Sequence, residues 1–125
     1  VRLKFNPDQA VTRGKRVLMI DDSLVRGTTT RQVVGMLRSG GGAKEVHIGI
    51  GSPPVRWPCY YGIATPDAKE LIAVNLTTEQ IRQQIDADSL SYLTISDLHQ
   101  ALIAFGADPR QYCMACFTGE YPTAL

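Results

Sequence analysis

Long apolar runs are missing from this 125-residue chain. No stretch approaches the roughly 18 consecutive apolar residues of a membrane-spanning helix. The opening Val1-Arg2-Leu3-Lys4 lacks the apolar core of a secretory signal. A membrane or secreted protein is thereby disfavoured, and a cytoplasmic setting is expected. Cysteine is scarce and odd in number, three in all, which argues against a disulfide framework and for reduced thiols serving as ligands, nucleophiles or core residues. Neither sign of charge dominates, with 13 Lys and Arg against 12 Asp and Glu. No Gly-Lys-Ser/Thr phosphate loop and no G-x-G-x-x-G dinucleotide turn is present. Repeats and low-complexity tracts are also lacking, so the chain reads as one compact unit or part of one.

What is there is unevenly distributed. Residues 1–38 hold eight Lys and Arg against three Asp, whereas residues 39–125 hold five against nine acids. A surplus of five positive charges spread through the first third, without a dense run, suits a polyphosphate-sized anion better than a nucleic-acid track. Arg16-Val17-Leu18-Met19-Ile20 is a continuous apolar run ending in Asp21-Asp22-Ser23, the pattern of a buried strand that opens onto a polar loop. From Thr28 a helix is expected, with Val33, Val34 and Leu37 on one face and a stop at Gly40-Gly41-Gly42. Val46, Ile48 and Ile50 then alternate as a second strand, and a crossover through one helix implies parallel pairing. Three prolines between Pro53 and Pro58 exclude a helix interior or central strand and leave a loop that carries Cys59. Thr77 with Gln80 forms a capping box for a helix containing Ile81 and Ile85, and Ile95, Leu98, Leu102 and Phe105 recur at helical spacing. Both are expected to cover a sheet. The fold class is α/β, an open parallel sheet flanked by helices.

The chemistry concentrates in Ile20-Asp21-Asp22-Ser23-Leu24-Val25-Arg26-Gly27-Thr28-Thr29-Thr30, two acids followed by a Gly- and hydroxyl-rich loop entering a helix. Free backbone N–H groups, the positive end of the helix dipole and the hydroxyls of Ser23, Thr28, Thr29 and Thr30 can converge on one phosphate. Gly27 lets the backbone approach closely, and Arg26 adds charge. Asp21 and Asp22 beside such a cradle suit vicinal sugar hydroxyls or a Mg²⁺ that neutralises a polyphosphate. Read by themselves they fit a pair that merely ends a strand and caps the following turn. Cys113 and Cys116 form a C-x-x-C pair, 54 residues after Cys59. The pair alone fits a zinc half-site, a redox dithiol or two packed thiols. His47, on the polar face of its strand, and His99, on the wet side of its helix, are candidate metal ligands only in a zinc reading.

The string Val17 to Thr30 resembles the phosphoribosyl pyrophosphate (PRPP) signature of type I phosphoribosyltransferases. Asp-Asp-Ser-Leu-Val-Arg-Gly-Thr-Thr is similar to its form in the amidophosphoribosyltransferase family. Ser52-Pro53-Pro54, Pro58-Cys59-Tyr60-Tyr61-Gly62-Ile63, Glu70-Leu71-Ile72-Ala73, Ile81-Arg82 with Ala87-Asp88-Ser89-Leu90, and Cys113 to Pro122 resemble the iron–sulfur form of the same family, in order. The resemblance implies a glycosyltransferase of purine synthesis that replaces the pyrophosphate of PRPP with ammonia drawn from glutamine. It implies that Asp21 and Asp22 contact the ribose hydroxyls and assist Mg²⁺, that Ser23 to Thr30 bind the 5-phosphate, and that Lys4 ends a mobile loop closing over PRPP. Cys59, Cys113 and Cys116 become three ligands of a 4Fe-4S cluster, whose fourth ligand lies outside this chain. Purine nucleotide inhibitors and a homo-oligomeric whole enzyme are further implications, with no nucleic-acid or membrane partner.

On this reading residues 1–105 are the later portion of a phosphoribosyltransferase domain, its sheet incomplete, and residues 106–125 a cluster-binding segment packed on it. The family's glutaminase domain is absent, so no glutamine-dependent activity is expected of these residues alone. Ala64 departs from the family, which commonly has an acid after Tyr-Gly-Ile. Rival readings are a non-catalytic module that binds AMP or GMP and carries zinc, and another type I phosphoribosyltransferase with a base as acceptor; the cysteine tail speaks against the latter.

Overall fold

A computed structural model describes residues 6–65 and 67–123. Three parallel strands, β1 (Arg16–Asp21), β2 (Glu45–Ile50) and β3 (Ser89–Tyr92), lie in the order β1-β2-β3. The chain crosses from β1 to β2 through α2 (Thr28–Gly35), which continues as a π-helical turn over Met36–Gly40. From β2 it reaches β3 by way of the proline-rich loop, a 3₁₀ turn (Ala68–Glu70), α3 (Ile72–Asn75) and α4 (Thr78–Ile85). A short α1 (Gln9–Thr12) precedes β1, and α5 (Ile95–Ala104), a 3₁₀ turn (Pro109–Gln111) and α6 (Ala115–Thr118) follow β3.

Register explains the core. Met19 sits opposite Ile48, and Ile48 opposite Leu90, so side chains of Val17, Met19, Val46, Ile48, Ile50, Leu90 and Tyr92 share one face. Val34 of α2, Ile72 and Ala73 of α3, and Ile81 and Ile85 of α4 close over that face as one buried cluster. The Thr77/Gln80 capping box is present at the start of α4. The opposite face presents Leu18 and Ile20, 64% and 68% exposed, beside Gly49. Among the described residues, helices therefore cover one face only.

Two features differ from the sequence-based expectation. β3 was not anticipated, because Ser-Leu-Ser-Tyr offers only two apolar positions, too few to register as alternation. Helix α5 forms, with a capping box made by Thr94 and Asp97, but it contributes no fully buried residue, and Phe105 just beyond its end is 91% exposed. It is not the sheet-covering helix its periodicity suggests. The stop expected at the triple glycine is realised by the π turn, in which Gly41 N–H donates to Met36 O, followed by Gly42 at φ 67°.

Candidate functional site

Asp21 is the last residue of β1, and its carbonyl accepts a hydrogen bond from Gly51 N–H at 2.8 Å. This bond extends the sheet pairing one step and places the acids at the carboxyl ends of the strands, where open α/β sheets bind ligands. Asp22 N–H donates to Asp21 Oδ1 (3.0 Å), and Ser23 Oγ donates to Asp22 Oδ1 (3.3 Å). Among the described residues no Lys, Arg or His pairs with either carboxylate.

Beyond the acids, Leu24 drops into the core and pins the loop. Gly27 is the N-cap of α2 in the left-handed conformation, φ 76°. A Cβ there would lie 2.8 Å from Ile72 Cδ1, so both backbone angle and packing demand glycine. No side chain caps α2 and no acid occupies its first turn. The first-turn N–H groups at Thr28, Thr29 and Thr30 are thus left without a side-chain acceptor, the arrangement that receives phosphate. Residues 21–30 and Ala64 line one cleft of about 450 Å³. Every expected loop residue from Asp21 to Thr30 converges there; Lys4 lies outside the described residues.

Sequence reasoning assigned no role to Glu70. The Arg26 guanidinium donates through Nε to Glu70 Oε2 at 2.7 Å, and Ile72 N–H donates to Val25 O at 2.9 Å. The Glu70-Leu71-Ile72-Ala73 string has no local feature that ties it to the loop 44 residues earlier.

The cysteines lie in a second region. Arg56 N–H and Trp57 N–H both donate to Cys116 O (2.9 and 3.1 Å), and Tyr121 Oη donates to Pro58 O (2.7 Å), tying the proline loop to the C-terminal segment. Cys59 and Cys116 are half-buried and Cys113 is exposed. Burial pushes the Cys116 thiol above its usual range, and the nearby Cys59 and Cys113 push it further. Among the described residues, no three Cys, His, Asp or Glu side chains converge on a single ion-sized centre. His47 bonds to Ser89 Oγ and Glu45 Oε2 on the face of the sheet opposite the core, beside Leu18. His99 is half-buried and shares a cleft with Cys113 and Tyr121, so it is not on the wet side of its helix.

No family model matches the chain. Individual relatives do. An amidophosphoribosyltransferase of Bacillus subtilis is 49% identical over 126 residues, covering 100% of this chain and 26% of the relative. That of Methanocaldococcus jannaschii is 50% identical over 125 residues, with 100% and 25% covered. The chloroplastic amidophosphoribosyltransferase 2 of Arabidopsis thaliana is 48% identical over 122 residues, with 98% and 21% covered. A solved structure of the B. subtilis glutamine PRPP amidotransferase, complexed with ADP and GMP, superposes with a TM-score of 0.82 at 50% identity over 93% of this chain and 26% of that one. The chain spans about a quarter of the length of the curated relatives it matches. The three parallel strands and their helices are those of the type I phosphoribosyltransferase fold. Near half-identity over its whole length and a shared backbone show that this chain is homologous to a region making up about a quarter of the amidophosphoribosyltransferases.

Proposed function

We propose that this chain supplies the ribose-phosphate half of a PRPP site and that, within a longer polypeptide, it serves an amidophosphoribosyltransferase reaction. One observation carries the reading: two carboxylates that, among the described residues, pair with no protein cation and the uncapped start of α2 line the same cleft. The 5-phosphate accepts hydrogen bonds from the first-turn N–H groups and from the hydroxyls of Ser23, Thr28, Thr29 and Thr30, with Arg26 beside them. Asp21 and Asp22 accept hydrogen bonds from the ribose hydroxyls. In the reaction, ammonia from glutamine forms a C–N bond at the sugar's anomeric carbon while the C–O bond to pyrophosphate breaks. Pyrophosphate leaves with the electron pair, and the new ammonium loses a proton. Positive charge grows on the sugar ring, and the two carboxylates stabilise it. The pair also fits Mg²⁺, a hard cation that takes oxygen ligands and would offset charge on the leaving group.

The three thiols fit a soft iron–sulfur centre by donor type, with a fourth ligand required from elsewhere. Purine nucleotides as inhibitors and a homo-oligomeric holoenzyme belong to the same proposal; the solved relative was obtained with ADP and GMP.

The test is calorimetric titration of PRPP, with and without Mg²⁺, into the protein and its Asp21→Asn and Asp22→Asn variants. Mg²⁺-dependent binding that each substitution weakens is the expected result. Unchanged binding in both variants reduces the acids to strand-end residues and overturns the assignment. Iron and acid-labile sulfide in the purified protein support the cluster, whereas stoichiometric zinc replaces it with a structural zinc site.

A further inference from the structure

The Glu70-Leu71-Ile72-Ala73 segment does not line the phosphate cleft, yet it touches the loop at three successive residues. Val25 O accepts from Ile72 N–H, Arg26 Nε donates to Glu70 Oε2, and Gly27 packs so closely on Ile72 that no Cβ fits between them. Leu71, Ile72 and Ala73 are buried, so the segment is fixed in the core. Glu70 stands on the 3₁₀ turn immediately before them, its own N–H bonded to Asp67 O at 2.8 Å. A carboxylate on this anchored segment meets Arg26, which lines the cleft.

The ion pair itself is exposed, its side chains 57% and 53% accessible, so it adds little to folding stability. Its geometry matters more. Arg26 spends only Nε on Glu70, and among the described residues its terminal nitrogens have no partner. A guanidinium has five N–H donors in a rigid plane, so fixing one edge aims the other. We infer that Glu70 is a positioning residue: it holds Arg26 by Nε and presents the terminal guanidinium nitrogens to the anion in the cleft. This rests on the reading of the cleft as a phosphate site.

The sign of the effect distinguishes positioning from proximity. A carboxylate that merely lies near an anion site repels the ligand, and its neutralisation strengthens binding. A carboxylate that aims the arginine does the reverse. With ribose 5-phosphate and Mg²⁺-PRPP as titrants, Glu70→Gln is expected to weaken binding by about threefold to tenfold, the scale of one poorly placed charge-assisted hydrogen bond. In an Arg26→Ala background the same substitution is expected to have no further effect, because Glu70 acts through Arg26. The urea midpoint stays unchanged, and in the ligand-free protein the Arg26 Nε–H proton exchanges faster with solvent in Glu70→Gln than in the unmodified chain. Binding by Glu70→Gln as tight as or tighter than the unmodified protein overturns the inference while leaving the phosphate site standing, as does an equal loss in the Arg26→Ala background. Failure of the unmodified protein to bind either titrant overturns the phosphate reading, and this inference with it.

Discussion

The loop after β1 and the cysteine region are both irregular chain at the edge of the fold, yet they are held in different ways. Residues 21–30 are moulded on the core: Leu24 is 2% exposed, a Cβ at Gly27 would run into Ile72 and Ile85, and the strand end is bonded to Gly51. Residues 57–61 and 113–121 are tied mainly by peripheral bonds, two main-chain donors onto Cys116 O, Tyr121 Oη on Pro58 O, and the tilted rings of Tyr60 and Tyr121 at 5.3 Å. Packing thus shapes the first region, whereas in the second, among the described residues, the three thiols do not converge on a common centre.

The contrast is tested most strongly by truncating one anchor in each region. Leu24→Ala empties a fully buried position and is expected to lower folding stability by about 2–5 kcal/mol in urea unfolding. Tyr121→Phe removes one hydrogen bond near the surface and is expected to cost about 1 kcal/mol. Equal losses would mean that the cysteine region is as much part of the core as the loop. The two left-handed glycines sharpen the comparison. Gly27→Ala and Gly119→Ala both place a side chain at positive φ, 76° and 81°, at about 1–2 kcal/mol for the backbone. Each new Cβ lies 2.8 Å from a neighbour, Ile72 Cδ1 or the Trp57 ring. Ile72 is buried, while Trp57 is half exposed and can swing outward. Gly27→Ala is therefore expected to be the more destabilising in the same urea assay, and to abolish detectable ribose 5-phosphate binding.

A smaller effect belongs to the frame beneath both regions. Asp88 Oδ2 accepts Val46 N–H at 2.6 Å and Arg38 Nη2 at 2.9 Å. The Val46 amide chiefly, then the Arg38 charge, holds the Asp88 carboxyl below its usual range. A carboxyl depressed in the folded state stabilises it above the ordinary Asp value near 3.9, and that contribution disappears as pH falls through the folded value. Asp88→Asn should thus lower stability by about 1 kcal/mol at pH 7. The gap from the unmodified chain should narrow once pH drops below the ordinary Asp value and close only below the depressed folded value, where both carry a neutral side chain. A constant gap across that window would assign the loss to packing.

Legibility follows the range of the interactions. β1, β2, the helix after Thr28 and the Thr77/Gln80 cap are written in neighbouring residues, and the structure places them close to where periodicity and capping do. The loop from Asp21 to Thr30 was equally legible, because a strand end, a glycine and a helix start are local features. β3 was hidden by its four-residue length and is defined by pairing with β2. Helix α5 has the right period but leaves Phe105 in solvent, since periodicity reports an apolar stripe and not what covers it. The Arg26–Glu70 pair spans 44 residues and left no trace in either local pattern.

The finest distinction lies within the cysteine region. Thiolate is the form that alkylates, so a raised pKa slows reaction at a given pH. Cys116 is half-buried with its thiol pushed up by burial and by the neighbouring sulfurs, whereas Cys113 is exposed. In metal-free protein treated with iodoacetamide at pH 8 and followed by mass spectrometry of peptides, Cys113 is expected to react first and Cys116 last. The Cys116 rate should go on rising as pH passes the usual thiol range, because its thiolate population is still growing there. Alkylation of Cys113 removes one neighbouring thiolate, so Cys116 should also react slightly faster in a Cys113→Ser variant than in the unmodified chain. Equal rates for Cys113 and Cys116 at pH 8 would show that the C-terminal segment opens faster than it is alkylated. The peripheral ties would then be too weak to hold the thiols together, and the cysteine region would differ from the phosphate loop even more than its hydrogen bonds suggest.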